Sequence, residues 1–236
     1  MVKPVERNMP IKIYADGADL NQMIAWALDD RISGLTCNPS LMRAAGITNY
    51  ALFAREVLEV IHKPVSFEVF ADDFDEMERQ ARLIASWGDN VYVKIPVTNT
   101  KEESSTTLIK KLSDDGIKLN ITAIFSCVQI DDVTSVLNET PAIISIFAGR
   151  IADTGRDPAW LGGFARTRAK PNTEILWAST RELLNIKQAE RCKFDIITVP
   201  DDLLKKLHLF GKDLTEYSRE TVRMFYDDAK ASGYVL

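Results

Sequence analysis

The hydrophobic positions of this chain alternate between two kinds of pattern. Short apolar or β-branched runs indicate strands at residues 11–15, 33–37, 64–70, 91–96, 118–122, 142–147, 174–178 and 194–199. Segments with helical spacing follow them, at residues 18–30, 39–61, 73–87, 102–114, 127–138, 157–168, 181–191 and 200–208. Parallel strands need helical crossovers, and eight such units close a barrel. The pattern therefore predicts an α/β fold, a single (β/α)8 (TIM) barrel.

The length of 236 residues suits one barrel and a short addition. We predict an N-terminal extension (1–10), a catalytic barrel (11–210) and a C-terminal helix (211–236) that packs on a barrel end or on a neighbouring subunit. The structural alternative is an open, doubly wound sheet. That fold usually has a glycine-rich turn after its first strand, whereas this chain has Ala15-Asp16-Gly17-Ala18 there.

Charge and composition exclude several classes of protein. A net charge of -5 argues against nucleic-acid binding, which needs a basic face. No run is long enough to span a membrane, and residues 1–10 lack the apolar core of a signal peptide. The three scattered cysteines fit a reduced compartment, so we expect a cytoplasmic protein. With only two histidines we predict no metal site, and we predict no cofactor.

Alternation along the strands separates side chains that face the barrel interior from those that face the helices. In the fourth strand, Val91, Val93 and Ile95 form the helix-facing set, which sends Tyr92 and Lys94 inward. The same reasoning gathers polar side chains near the carboxyl ends of the strands, where barrel enzymes build their sites. These are Asp16, Asn38, Glu68, Lys94, Asn120, Thr122 and Ser145.

Lys94 carries the predicted chemistry. A lysine in a barrel interior is costly to desolvate, and burial disfavours the charged ammonium, which frees the amine to attack a carbonyl. The alternative is a structural lysine that reaches solvent or pairs with Asp16 or Glu68. For catalysis, the same two carboxylates would supply acid and base groups.

Several motifs resemble one known family. The most specific are Thr36-Cys37-Asn38-Pro39-Ser40 and Val93-Lys94-Ile95-Pro96-Val97-Thr98, in this order and spacing. Together with Asn120-Ile121-Thr122, Gly149-Arg150 and Ala178-Ser179, they resemble the small transaldolase and fructose-6-phosphate aldolase family, class I aldolases on a (β/α)8 barrel.

The resemblance implies a role for each matching residue. Lys94 would form the Schiff base, Asp16 would handle the proton of a substrate hydroxyl, and Glu68 with Thr122 would hold a catalytic water. Groups that bind substrate hydroxyls would be Asn38, Asn120 and Ser145. The phosphate of a sugar phosphate would bind to Arg150, Ser179 and Arg181, since a guanidinium fork fits phosphate oxygens. A homo-oligomer, decamer or pentamer, is also implied.

The resemblance also bears on the reaction. The aldolase branch of the family typically carries Gln in place of Glu68 and Tyr in place of Phe147. The combination of Glu68, Ser145 and Phe147 therefore favours transfer of a three-carbon ketol unit. A fructose-6-phosphate or dihydroxyacetone aldolase is the alternative, and a non-catalytic phosphosugar-binding protein is a further one.

Four segments depart from the family pattern near strand ends, and they predict a changed donor or acceptor sugar. They are residues 17–19, 98–105 and 153–158, the last with Arg156, and Trp177.

Overall fold

Strands and helices alternate along the chain, and the strands close into a barrel. The computed structural model describes residues 11–235. Its strands are β1 (Lys12–Asp16), β2 (Ile32–Thr36), β3 (Val65–Glu68), β4 (Val91–Pro96), β5 (Leu119–Ile124), β6 (Ala142–Ile146), β7 (Thr173–Trp177) and β8 (Ile196–Pro200). All pairings are parallel and follow chain order, and β8 pairs with β1. The predicted TIM barrel is therefore confirmed, and the alternative of an open, doubly wound sheet is excluded.

The helices are α1 (Leu20–Ala27), α2 (Pro39–Ala44), α3 (Tyr50–Val60), α4 (Phe74–Ala85), α5 (Thr106–Asp114), α6 (Cys127–Val136), α7 (Ala148–Ala152), α8 (Trp160–Arg166), α9 (Leu184–Arg191), α10 (Asp201–Leu204) and α11 (Leu214–Ser232), with a 3-10 turn at Leu207–Leu209. Each predicted helical segment contains at least one of them. The five-residue α7 was not predicted.

Three predicted helices have the wrong extent. The segment 39–61 is two helices, because Gly46 adopts a left-handed conformation (φ 73°) and Asn49 starts α3 by accepting a hydrogen bond from the Leu52 amide (3.0 Å). The segment 102–114 becomes helical only at Thr106, since Thr98 and Ser104 form an antiparallel bridge before it. Residues 200–208 form only α10 and the 3-10 turn.

The described residues divide into two compact units, one ending at Leu204 and the other beginning at Lys205. The second contains α11, the predicted C-terminal helix. Its N-cap is Asp213, whose carboxylate accepts from the Glu216 amide (2.8 Å), and the left-handed Gly233 ends it. How this helix packs stays a prediction, and the predicted extension, residues 1–10, lies outside the described residues.

The barrel interior follows the predicted alternation. Tyr14, Ile143, Leu176, Ala178 and Ile196 form a buried cluster inside it, with Tyr92 packed against them. Gly34 on β2 makes room for this cluster, because a Cβ at that position would lie 2.5 Å from the Tyr14 ring. Apolar packing thus fills part of the interior, and the polar side chains lie toward the carboxyl ends of the strands.

None of the helices within residues 11–235 combines the length and the apolar character that crossing a membrane requires.

Candidate active site

A cavity of about 560 Å³ opens among the carboxyl ends of the strands. Every residue predicted for the site lines it: Asp16, Asn38, Glu68, Lys94, Asn120, Thr122, Ser145, Phe147, Arg150, Ser179 and Arg181. Sequence reasoning gave no role to the other lining residues, namely Thr36, Pro39, Ser40, Leu41, Ala123, Leu176, Ala178, Thr180, Thr198 and Pro200. Residues from seven separate motifs or strand ends therefore meet in one place. Strand alternation predicted seven of the eleven residues, and the family resemblance predicted Phe147, Arg150, Ser179 and Arg181.

Lys94 and Glu68 are paired at the centre of the cavity. They lie opposite each other in the register of β3 and β4, and Lys94 Nζ is 2.9 Å from Glu68 Oε2. Lys94 is only 7% exposed, whereas Val93 and Ile95 beside it point to the other side of the strand and are fully buried. The strand thus presents one buried amine to the cavity, in contact with the carboxylate of Glu68.

Asp16 ends β1 on the same side. Its Oδ1 accepts a hydrogen bond (2.8 Å) from the hydroxyl of Thr36, its partner on the neighbouring strand β2. Burial raises the pKa of Asp16, and the nearby Glu68 charge adds to the rise, while the Lys94 charge and the Thr36 hydrogen bond oppose it. A carboxyl group whose pKa is raised in this way is suited to accept and return a proton during a reaction.

Thr122 offers a hydroxyl that has no use within the fold. Its Oγ1 is buried, and among the described residues it has no hydrogen-bond partner. Thr122 lies in the stretch between Ile121 and Ile124 where the pairing of β5 with β6 is irregular. The next residue, Ala123, adopts a left-handed conformation (φ 59°) that is unusual for a residue other than glycine. Both residues line the cavity. A buried, unpaired hydroxyl beside strained backbone is characteristic of a functional position.

Asn120 and Ser145 belong to a hydrogen-bonded row across the barrel. The Ser145 hydroxyl donates to Asn120 Oδ1 (2.6 Å), and Asn120 Nδ2 donates to the Ser66 hydroxyl (3.0 Å). Both partners fix the orientation of the Asn120 amide, which retains a second N–H on Nδ2. Ser66 thus helps to position Asn120, a role that the sequence did not suggest.

Asn38 lies at the mouth as the N-cap of α2. Its Oδ1 accepts from the Leu41 amide (3.0 Å), which leaves the amide nitrogen of its side chain for the cavity.

The predicted phosphate cluster comes from the segments after β6 and β7. Gly149 is required where these segments meet, because a Cβ there would lie 1.6 Å from the Ser179 carbonyl oxygen, and Ser179 itself has a left-handed backbone (φ 63°). The Arg150 guanidinium lies 5.4 Å from the centre of the Phe147 ring. Arg181 is paired with Asp153, a contact that the sequence did not suggest.

The departures from the family pattern do not reach the cavity. Residues 17–19, 98–105 and 153–158 are absent from its lining, and the Trp177 ring packs on Phe194 (5.2 Å between centroids). A changed donor or acceptor sugar therefore stays a prediction, and these segments do not line the cavity that would bind it. For Trp177 the reason is strand alternation, because it follows the inward Leu176 on β7 and so faces the helices.

The described residues contain no group of three or more His, Cys, Asp or Glu side chains placed to hold a metal ion.

Comparison with known proteins gives consistent results. A probable transaldolase of Chelativorans sp. (strain BNC1) is 34% identical over 84% of this chain and 88% of its own. Probable transaldolases of Streptococcus agalactiae and Methanococcus maripaludis are each 31% identical, over 93% and 87% of this chain and 99% and 93% of their own.

A solved structure of the tryptophan synthase A-subunit from Pyrococcus furiosus superposes with a TM-score of 0.57 at 12% identity, over 89% of this chain and 94% of that one, a likeness in fold alone. The family model described as Transaldolase/Fructose-6-phosphate aldolase matches residues 13–235. The chain belongs to the transaldolase/fructose-6-phosphate aldolase family, whose members are enzymes.

Proposed function

We propose that this protein transfers a three-carbon dihydroxyacetone unit from a ketose phosphate to an aldose acceptor, through a Schiff base on Lys94. The observation that carries the proposal is the buried Lys94 amine, 2.9 Å from Glu68 and in the same cavity as Asp16. A protein that only bound sugar phosphates would not require a buried amine, and desolvation of the ammonium costs free energy.

The first half of the reaction makes and uses the imine. The Lys94 amine attacks the ketone carbon of the donor, and the carbinolamine loses water to give an iminium ion. Asp16 takes the proton from the hydroxyl at C4, the C3–C4 bond breaks, and its electron pair moves into the iminium to give an enamine. An aldehyde leaves. The raised pKa of Asp16 suits the proton that it must carry at this step.

The second half reverses these steps on a different aldehyde. The enamine carbon attacks the acceptor carbonyl, Asp16 returns its proton to the new alkoxide, and water releases the product from Lys94. Glu68 and the unpaired hydroxyl of Thr122 would hold the water that forms and is consumed at the imine. Asn38, Asn120 and Ser145 would bind substrate hydroxyls, and the anionic end would bind to Arg150, Ser179 and Arg181.

Reductive trapping tests the covalent step. Incubation with fructose 6-phosphate and sodium borohydride is expected to add the mass of a reduced three-carbon or ketose fragment to the peptide that contains Lys94. Borohydride without sugar is the control. Capture of a different lysine, or of none, would contradict the mechanism.

Phe147 is expected to decide between transfer and free aldol cleavage. Its ring lines the cavity and packs on Phe125 (5.6 Å between centroids), and it has no polar atom to help water protonate the enamine. Phe147→Tyr adds a hydroxyl there, and we expect release of free dihydroxyacetone without an acceptor to rise by roughly 10²-fold or more, the lower end of the range for one general acid–base contact.

The matched control is Phe125→Tyr, which adds the same hydroxyl to the neighbouring ring, outside the cavity lining. Dihydroxyacetone is measured enzymatically with and without an acceptor aldehyde. If the protein with native Phe147 already releases dihydroxyacetone as fast as it transfers it, the protein is an aldolase and the assignment of transfer is wrong.

A cytoplasmic location remains a prediction from the scattered cysteines. Assembly as a homo-oligomer, decamer or pentamer, remains a prediction from the family resemblance.

A further inference from the structure

The two arginines of the cavity differ in what holds them. The Arg181 Nε and Nη2 atoms donate to the two carboxylate oxygens of Asp153, at 3.2 and 2.6 Å. Arg150 lies against the Phe147 ring and forms no ion pair with a carboxylate within residues 11–235. Asp153 does not line the cavity. Its one hydrogen-bonded contact with a cavity-lining side chain among the described residues is the ion pair with Arg181, although it also lies within reach of the Arg150 charge.

We propose that Asp153 is a positioning residue that holds the Arg181 guanidinium in one orientation for the anionic end of the substrate. This inference rests on the proposed function. A guanidinium carries five N–H donors in one rigid plane, and two contacts along one edge fix that plane. The two bonds to Asp153 leave the other three donors for an anion.

Both partners are themselves anchored by the backbone. Asp153 ends α7, and its amide donates to the Gly149 carbonyl oxygen (3.0 Å). The Arg181 amide donates to Asn185 Oδ1 (2.9 Å) at the start of α9. Gly149 in turn lies against Ser179, so the segments that carry the two side chains are already in close contact. The ion pair adds the last restraint, on the side chain of Arg181.

The negative charge of Asp153 opposes binding of an anion, whereas its two contacts with Arg181 favour it. Arg181 holds the pKa of Asp153 below its usual range, so Asp153 is ionised at neutral pH and repels an incoming anion. The side chains of Arg181 and Asp153 are half exposed, at 50% and 51%. Solvent and salt screen charge at such positions, with a Debye length of about 8 Å at 0.15 M ionic strength. They weaken the repulsion of a distant anion more than the two direct contacts of 3.2 and 2.6 Å that orient the guanidinium. Positioning should therefore dominate at physiological salt.

Asp153→Asn tests this with an isosteric side chain that lacks the second carboxylate oxygen. At 0.15 M salt we expect the KM for fructose 6-phosphate and the inhibition constant of inorganic phosphate to rise by roughly 3- to 10-fold, the range of one lost oriented contact. The kcat with fructose 6-phosphate and the KM for unphosphorylated fructose should stay unchanged, a division that a general loss of structure would not produce.

Asp131→Asn is the matched control, because Asp131 pairs with Arg168 at an exposed site outside the cavity. It should change none of these constants. Tighter binding of phosphate to Asp153→Asn, or no change in its binding, would overturn the proposal. So would a loss of phosphate affinity that disappears at high salt, or an equal rise in the KM for fructose. Calorimetric binding of inorganic phosphate needs no catalysis, so it tests Asp153 even if Lys94 forms no imine.

Discussion

Replacing Lys94 with methionine is expected to abolish transfer while leaving the protein folded. Without the amine no imine forms, and the C3–C4 bond has no electron sink, so kcat/KM should fall by roughly 10⁴- to 10⁶-fold, the scale of losing a covalent nucleophile. Methionine fills most of the volume of the lysine, and it removes the cost of burying an ammonium. The rate is measured with fructose 6-phosphate and an aldehyde acceptor.

The variant also breaks the Lys94–Glu68 pair, so a matched control is needed. Lys111→Met removes an exposed lysine that pairs with Glu78 at 2.8 Å, far from the cavity lining. Its activity should be unchanged, and both variants should keep the circular dichroism spectrum of the unaltered protein. Residual activity of the Lys94 variant above one hundredth of the original would show that another group does the chemistry.

The position of the central residues was predictable because it depends on alternation alone. Val93 and Ile95 are buried on one side of β4, which leaves the other side for Lys94, and the same count places Glu68 and Asn120. Strand pairing in a parallel barrel then brings residues of neighbouring strands to the same level. Two-residue periodicity therefore placed these central residues with no knowledge of loops, whereas Arg150, Ser179 and Arg181 were predicted only from the family resemblance.

The contacts that tune the site were not predictable, since they depend on strand stagger and side-chain rotamers. Thr36 was part of a recognised motif, yet only the register between β1 and β2 shows that its hydroxyl binds Asp16. Asp153 and Arg181 lie 28 residues apart in different loops, and no periodicity connects them. Helix α7 has five residues, too few to show a helical period.

Asp16→Asn is expected to lower the activity of the protein while raising its thermal stability. Asparagine keeps the size of the side chain and an acceptor for the Thr36 hydroxyl, but it cannot take the proton of the substrate hydroxyl. We expect kcat for transfer to fall by roughly 10²- to 10⁴-fold, the range for loss of a general acid–base group. The imine itself should still form, so borohydride should still label Lys94.

The same change should raise the melting temperature at neutral pH. Burial raises the pKa of Asp16 above its ordinary value, so between these two pKa values the folded chain binds more protons than the unfolded chain. The stability due to the neutral carboxyl group is complete below the ordinary pKa and is lost as the pH rises through the raised one. Asparagine stays neutral, so its advantage in Tm should be small in acid and should grow across this window.

The effect of Lys94 on the pKa of Asp16 gives a second test of this explanation. Its positive charge opposes the rise in the pKa of Asp16, so its removal should make an ionised Asp16 still more costly in the folded state. The gain in Tm from Asp16→Asn at neutral pH should therefore be larger in a Lys94→Met background than in the original protein, and a double-mutant cycle measures the difference. Equal gains in the two backgrounds would mean that Asp16 and Lys94 do not interact, and the shared-site mechanism would lose its electrostatic basis.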